Sequence, residues 1–300
     1  MFYFYPSDEY CGLQSPANTQ PFLVNGFVHI TKKQDGGHDA TLLCRDASFM
    51  HIPVTLVSQY ELQNGDWVEL MASFKPSINR YLVDTVERVN GEIAGSKKER
   101  KRSYDSMDST KPHIKGKING TEILLGTRTI INLRANENKI DQIEKTQIEG
   151  PNIVKIALII EESDYCLKLL EKAGFNEVFL IRPELSHKQQ ISMVLYALFI
   201  AKQEAINGKN AVLFIESLTK IVRLYDKICC GPNGLLDITK LFTGSLSDTK
   251  KLFMDAKQLG RAGSLTNIAF MHPPLTDRCH YIYSELLELS NQILEAPSEK

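Results

Sequence analysis

The chain has 300 residues, 43% hydrophobic and 24% charged, with a formal net charge of −1. These are ordinary values for a globular protein, and the length suggests two domains. No apolar run approaches the ~18–20 residues that cross a bilayer. The aromatic, acidic start "MFYFYPSDEY" has no basic-then-apolar leader pattern. Cys11, Cys44, Cys166, Cys229, Cys230 and Cys279 contain no C-x-x-C pair, which excludes zinc-site spacing and gives no disulfide framework. The expectation is a reduced, cytoplasmic protein with no metal, no cofactor and no membrane partner.

Residues 1–20 have little periodicity and read as an N-terminal arm. Over 21–90, "FLVNGFVHI", "ATLLC", "HIPVTLV", "DWVELMASF" and "RYLVDTVERV" are rich in β-branched and aromatic residues, with turn-like segments between them. Five short strands in this space predict a small closed barrel, for which the cold-shock-like OB-fold is the commonest answer. Trp67 most simply packs in it, with base stacking as the other role. Residues 91–150 read as a connector. Its part 96–117 holds eight Lys/Arg against three Asp/Glu, a balance of 8 − 3 = +5. Such a run is either a nucleic-acid contact or a solvated linker. "TEILLGTRTIINL" then suggests a short hairpin.

After 150 the period changes. "NIVKIALII" is a continuous apolar run, as in a strand buried on both faces. "DYCLKLLEKAG" has helical spacing with Gly174 as a stop, "EVFLI" is another strand, and "SHKQQISMVLYALFIAKQEAI" reads as a helix capped by Ser186. "AVLFI", a loop, the helix-like "LSDTKKLFMDAKQLGRA" and a last strand "SLTNIAF" complete the series. Strands alternating with helices predict a parallel sheet covered on both sides over 151–300.

Two stretches are specific. "NAVLFIESLTKIVRLYD" is similar to the strand and helix of bacterial transcription termination factor Rho that read Asp-Ser-Ile/Leu-Thr-Arg-Leu-Ala-Arg-Ala-Tyr. "KKLFMDAKQLGRAGSLTNIAF" resembles that family's Phe-Phe-x-x-Ala-Arg helix and the Gly-Gly-Ser-Leu-Thr segment after it. "ALIIEESDYCLKLL" resembles the strand carrying the family's catalytic glutamate, and "ELQNGDWVELMASFKPSINRYLVDTVERVNG" its barrel. The resemblance covers about 21–90 and 151–285. It implies an OB-type RNA-binding domain before a RecA-like ATPase core.

The parts that hydrolyse ATP are altered. No G-x-x-x-x-G-K-[S/T] phosphate loop exists: Gly116-Lys117 is followed by Ile118, and Gly208-Lys209 by Asn210. Between connector and "NIVKIALII" there is no room for the strand, loop and helix of that unit, so it is expected to be missing whole. Either "TEILLGTRTIINL" or the N-terminal arm is then expected to cover the exposed sheet edge. The resemblance puts Glu216 at the magnesium-directed aspartate and Glu161 at the catalytic glutamate, with Glu162 replacing an arginine. It also implies that the arginine-finger region is absent. Phosphoryl transfer depends on positioning and charge stabilisation, so no ATP hydrolysis is expected. Glu161 and Glu216 then become vestigial strand-end carboxylates that bind water or a neighbouring lysine.

For single-stranded RNA, the resemblance implies contacts at Arg80 and Tyr81, with Arg45 and His51 near two further contact positions. The basic run adds Lys97, Lys98, Arg100, Lys101 and Arg102. Tyr81 is equally a core aromatic of the barrel. "GGHDATLLC" carries no aromatic where the family has a stacking segment, and 21–90 balances to 6 − 8 = −2, which weakens phosphate attraction. His272 is read as satisfying a loop, and Cys229-Cys230 as part of a plain loop. Two functions are expected: an ATPase-inactive Rho-like RNA-binding protein or termination regulator, or an interaction protein that docks on a Rho or on itself. An enzyme with new chemistry has no visible nucleophile and base.

Overall fold

The computed structural model describes residues 21–32, 37–75, 80–95, 114–160, 164–229, 238–259, 263–274 and 277–296. The chain divides into two compact units, Met1–Ser106 and Met107–Lys300.

The first unit is an antiparallel sheet. Its strands are β1 (Phe22–Lys32), β2 (His38–Leu43), β3 (Phe49–Ile52), β4 (Trp67–Lys75), β5 (Arg80–Val89) and β6 (Glu92–Ile93), in spatial order β3-β2-β1-β4-β5-β6. Alternation sends Val28, Leu42, Ile52, Leu70 and Val83 to one core. Two register shifts between β4 and β5, at Glu69/Leu70 and Met71/Ala72, add local twist, and β3 packs against β5. "HIPVTLV" is not one strand. Pro53 lacks an N–H for the ladder, and β3 stops before it; Val54–Gln59 form α1 instead.

The second unit has two sheets. β7 (Lys115–Ile118), β8 (Thr121–Leu124) and β10 (Ile148–Glu149) make a small antiparallel sheet in order β10-β7-β8. The larger sheet runs β12-β11-β13-β15-β9-β16, with β9 (Arg128–Asn132), β11 (Ile153–Ile160), β12 (Glu177–Ile181), β13 (Asn210–Ile215), β15 (Ser264–Met271) and β16 (Gln292–Glu295) all parallel. β14 (Lys257–Gln258) adds an antiparallel pair on β15. The helices are α2 (Lys139–Lys145), α3 (Tyr165–Lys172), α4 (His187–Ile206), α5 (Leu218–Cys229), α6 (Ile238–Met254) and α7 (Asp277–Leu287).

Every residue of β13 and β15 is buried, as expected of central parallel strands. One core joins Phe214 and Phe270 of the sheet to Leu170 of α3, Ile143 of α2 and Ile123 of the small sheet. α4 packs against β11, β12, β13 and β15. Its start is a capping box in which the Ser186 hydroxyl accepts the Gln189 N–H and Gln189 Oε1 accepts the Ser186 N–H. Gly174, at φ 77°, follows α3.

Several expectations are corrected here. From Lys115 onward the "connector" 91–150 is sheet and helix of the second unit. "TEILLGTRTIINL" is not a hairpin: Gly126, at φ 81°, breaks the run, so β8 stays in the small sheet while β9 enters the large one. A strand, loop and short helix therefore do stand before β11, and the unit is not missing whole. β9 lies inside the sheet between β15 and β16 and does not cover an edge. The N-terminal arm falls outside the described residues. The helix-like stretch ends at Met254, and β16 lies beyond the strand expected to be last. Among the described residues no helix is long and apolar enough to cross a membrane.

Candidate functional site

The C-terminal ends of β9, β13 and β15 converge, and the loops after such strands are where open α/β sheets carry ligands. Glu216 directly follows β13. Its side chain is 2% exposed, and two ammonium groups approach the same oxygen: Lys220 Nζ lies 3.1 Å and Lys139 Nζ 3.7 Å from Oε1. Glu216 Oε2 accepts the Ile160 N–H at 3.3 Å, while Lys220 Nζ donates to the Ile160 carbonyl at 2.7 Å. The pair thus clamps the last residue of β11 by both its backbone groups. Lys220 arrives by helical periodicity, one turn after Glu216. Lys139 arrives by topology, as the first residue of α2. Ser217 Oγ accepts the Lys220 N–H at 3.3 Å and lies 2.9 Å from Thr219 Oγ1.

The segment 133–138 joins β9 to α2, the place a phosphate loop takes in a strand–loop–helix unit. Here its groups bond to one another. Glu137 Oε2 accepts the Arg134 N–H at 2.7 Å, and the Arg134 carbonyl accepts the Glu137 N–H at 3.1 Å. Asn138 Oδ1 accepts the Ile140 and Asp141 N–H groups, the second and third amides of α2. No residue from 133 to 138 has a positive φ, so the alternating left- and right-handed backbone of an anion nest is not formed. His272, just past β15, donates from Nδ1 to the Arg134 carbonyl at 3.1 Å. Burial, followed by the charge of Lys139, holds its pKa below the usual histidine range.

This donor set does not fit a magnesium–nucleotide group. The Leu133, Arg134 and Glu137 amides of the loop already have acceptors, and both carboxylate oxygens of Glu216 face N–H or ammonium donors. Magnesium requires oxygen ligands in near-octahedral order.

Of the sequence-derived candidates that are described, Glu216 belongs to the second unit and Arg45, His51, Arg80 and Tyr81 to the first. Glu161 lies outside the described residues, as do Lys97, Lys98, Arg100, Lys101 and Arg102. Arg80 opens β5 opposite Lys75. Arg45 is exposed in the turn after β2. His51 is exposed on β3, with Nδ1 3.1 Å from Asp39 Oδ1. Tyr81, read equally as core aromatic and as RNA contact, packs in the core of the first unit: it is 7% exposed, with Phe22 and Phe74 ring centroids at 5.5 and 5.1 Å. Trp67 is partly buried, edge-on to Phe27 at 4.9 Å. Cys229 ends α5, and Cys230 is outside the described residues. Sequence reasoning passed over Lys139 and Lys220. Only Lys220 had a signal, its spacing of one helical turn from Glu216.

No protein-family model and no curated protein matches this sequence. Among solved structures, the chain is similar to a prototypical ATPase from the type III secretion system of pathogenic bacteria, at TM-score 0.52 and 16% identity. The match covers 71% of this chain and 66% of that one, so this chain spans just under two thirds of the ATPase's length. That likeness establishes the fold. The chain has an antiparallel-sheet N-terminal unit and a parallel-sheet α/β unit, and is similar in fold to that ATPase.

Proposed function

We propose that this chain is a Rho-like protein that does not hydrolyse ATP and acts as an RNA-binding regulator of transcription termination. The observation that carries the reading is the Lys139–Glu216–Lys220 cluster beside the self-bonded loop 133–138. A motor needs that loop to hold phosphates and that carboxylate to orient a metal; here both are engaged by the protein itself. The Rho-specific part rests on the residues of 210–226 and 252–270. An OB-type reading of the first unit is supported by five main strands in which β3 returns to β5. In OB-folds the face of the second and third strands binds oligonucleotides, and His51 and Arg45 lie on or beside those strands here.

The decisive experiment measures phosphate release with magnesium and ATP, with and without cytidine-rich RNA, and RNA binding at two salt concentrations. Salt-sensitive binding without turnover is expected. Magnesium-dependent turnover overturns the reading.

One observation favours a second function. Asp39 stands against His51, and the barrel segment carries net negative charge, so phosphate attraction there is weak. On that reading the chain docks on a Rho or on a second copy of itself. Co-purification with a Rho, unchanged when Lys97, Lys98, Arg100, Lys101 and Arg102 are neutralised, supports it over direct RNA binding.

A further inference from the structure

We infer that Lys139 and Lys220 form a built-in counter-cation at Glu216, in place of the divalent ion that a strand-end carboxylate of this fold type would orient. The inference rests on the non-hydrolysing reading above and adds what fills the site. Two ammonium groups supply the same total charge as one divalent cation. Both address Oε1, at 3.1 and 3.7 Å. Oε2 is engaged by the Ile160 N–H. A metal ion entering here would meet donors on both oxygens and would have to displace both lysines.

The lysines are themselves held. Lys220 Nζ also donates to the Ile160 carbonyl, and its backbone N–H is bonded to Ser217 Oγ. Lys139 stands in the first turn of α2, behind the Asn138 cap. Their side chains are 25% and 16% exposed, against 2% for Glu216. A carboxylate buried to that degree needs compensating charge to stay ionised, and removal of its partners leaves it stranded. The pair therefore has a mechanical result. Charges on α2 and α5 meet at the end of β13, and the same group pins the end of β11. In a nucleotide-dependent relative of this fold, bound metal and phosphate would tie such elements together; here the chain is tied without a ligand.

The test uses the full chain, with Mn²⁺ alone as the metal probe, followed by titration calorimetry and thermal melting. The wild type is expected to give no saturable Mn²⁺ heat, and its Tm is expected to be the same with and without Mn²⁺. Lys139→Met with Lys220→Met is expected to melt about 10 °C lower and to gain one Mn²⁺ site that raises its Tm. Adding Glu216→Gln to that double variant removes the stranded charge, so most of the lost Tm returns and the Mn²⁺ heat disappears. Should the double variant not fold, recovery of a cooperative transition in the triple variant supports the inference, and a triple variant that also fails to fold overturns it. A wild-type Mn²⁺ site abolished by Glu216→Gln overturns it as well, as does a double variant that melts like the wild type. Mn²⁺ binding at Glu216 of the wild type without ATP turnover sinks this inference alone, whereas turnover sinks the non-hydrolysing reading.

Discussion

Glu137 Oε2 accepts the Arg134 backbone N–H at 2.7 Å, so the loop after β9 carries its own carboxylate on an amide. Phosphate-binding loops leave such amides pointing at the ligand. Glu137→Ala is expected to release this N–H at a cost of about 1 kcal/mol, the net worth of one hydrogen bond near the surface. Amide exchange at Arg134 measures the opening directly. An unchanged protection factor at Arg134 would contradict the bond.

Tyr81 separates two roles that the sequence left open. As a core residue between Phe22 and Phe74 it should be intolerant of truncation: Tyr81→Ala is expected to destabilise the first unit by about 3–5 kcal/mol, the range for a large buried aromatic. Tyr81→Phe keeps the ring and should leave RNA titrations unchanged. Loss of RNA affinity in a well-folded Tyr81→Phe variant would return the residue to the contact surface.

RNA affinity, where present, should depend on the basic run. Each lysine or arginine that neutralises a phosphate of single-stranded nucleic acid contributes about 0.7 to the slope of log K against log salt. Neutralising Lys97, Lys98, Arg100, Lys101 and Arg102 together is expected to flatten that slope by up to about 3.5 and to weaken binding to all sequences alike. A slope that does not change assigns binding to another surface.

Much of the second unit is legible from local pattern. Continuous apolar runs gave β11 and β13, Ser186 gave the start of α4, and Gly174 gave the stop after α3. What escaped is non-local. The β9 stretch "RTIIN" is short and apolar, and only its pairing with β15 on one side and β16 on the other makes it a central parallel strand. α1 was hidden because the β-branched residues of "VTLV" favour strand while the break at Pro53 decides otherwise. Tyr81 was ambiguous because the bulges of β4 and β5 shift the phase of alternation: Tyr81 and Val83 face the core, then Val86 does. Lys139 meets Glu216 through a contact between elements far apart in sequence, which no spacing rule reports.

Gly263 shows why a glycine precedes "SLTNIAF". A Cβ there would lie 1.9 Å from the Lys209 carbonyl oxygen and 2.8 Å from that of Ala205, and neither backbone can withdraw without moving the start of β13 or the end of α4. Gly263→Ala is expected to cost about 3–5 kcal/mol, at the severe end for a point substitution. Gly244, within α6, would meet nothing inside 4 Å; Gly244→Ala is expected to be neutral or to stabilise by up to about 1 kcal/mol. Urea midpoints of the two variants should therefore move in opposite directions, or only the first should move. A Gly263→Ala variant as stable as Gly244→Ala would rule out the tight approach of these three segments.

Cys44 gives a pH dependence with a definite sign. Burial, only partly offset by the Ser48 hydrogen bond, raises its thiol from 9.0 to about 11. In the unfolded chain the thiol loses its proton near the lower value, while in the folded chain it keeps it. Between these two values the unfolded state binds fewer protons than the folded state, so stability falls as pH rises. The contribution is intact below pH 9 and is lost by pH 11, a change of about 2–3 kcal/mol for a shift of this size. Cys44→Ala removes the titrating group and is expected to flatten the fall in urea midpoint over this window, even though the variant is less stable at pH 7 from the lost packing. Thiol reagents at pH 8 should likewise leave Cys44 unmodified until the first unit unfolds, because the reactive form is the thiolate. Rapid labelling of Cys44 under native conditions would show that the side chain is not enclosed.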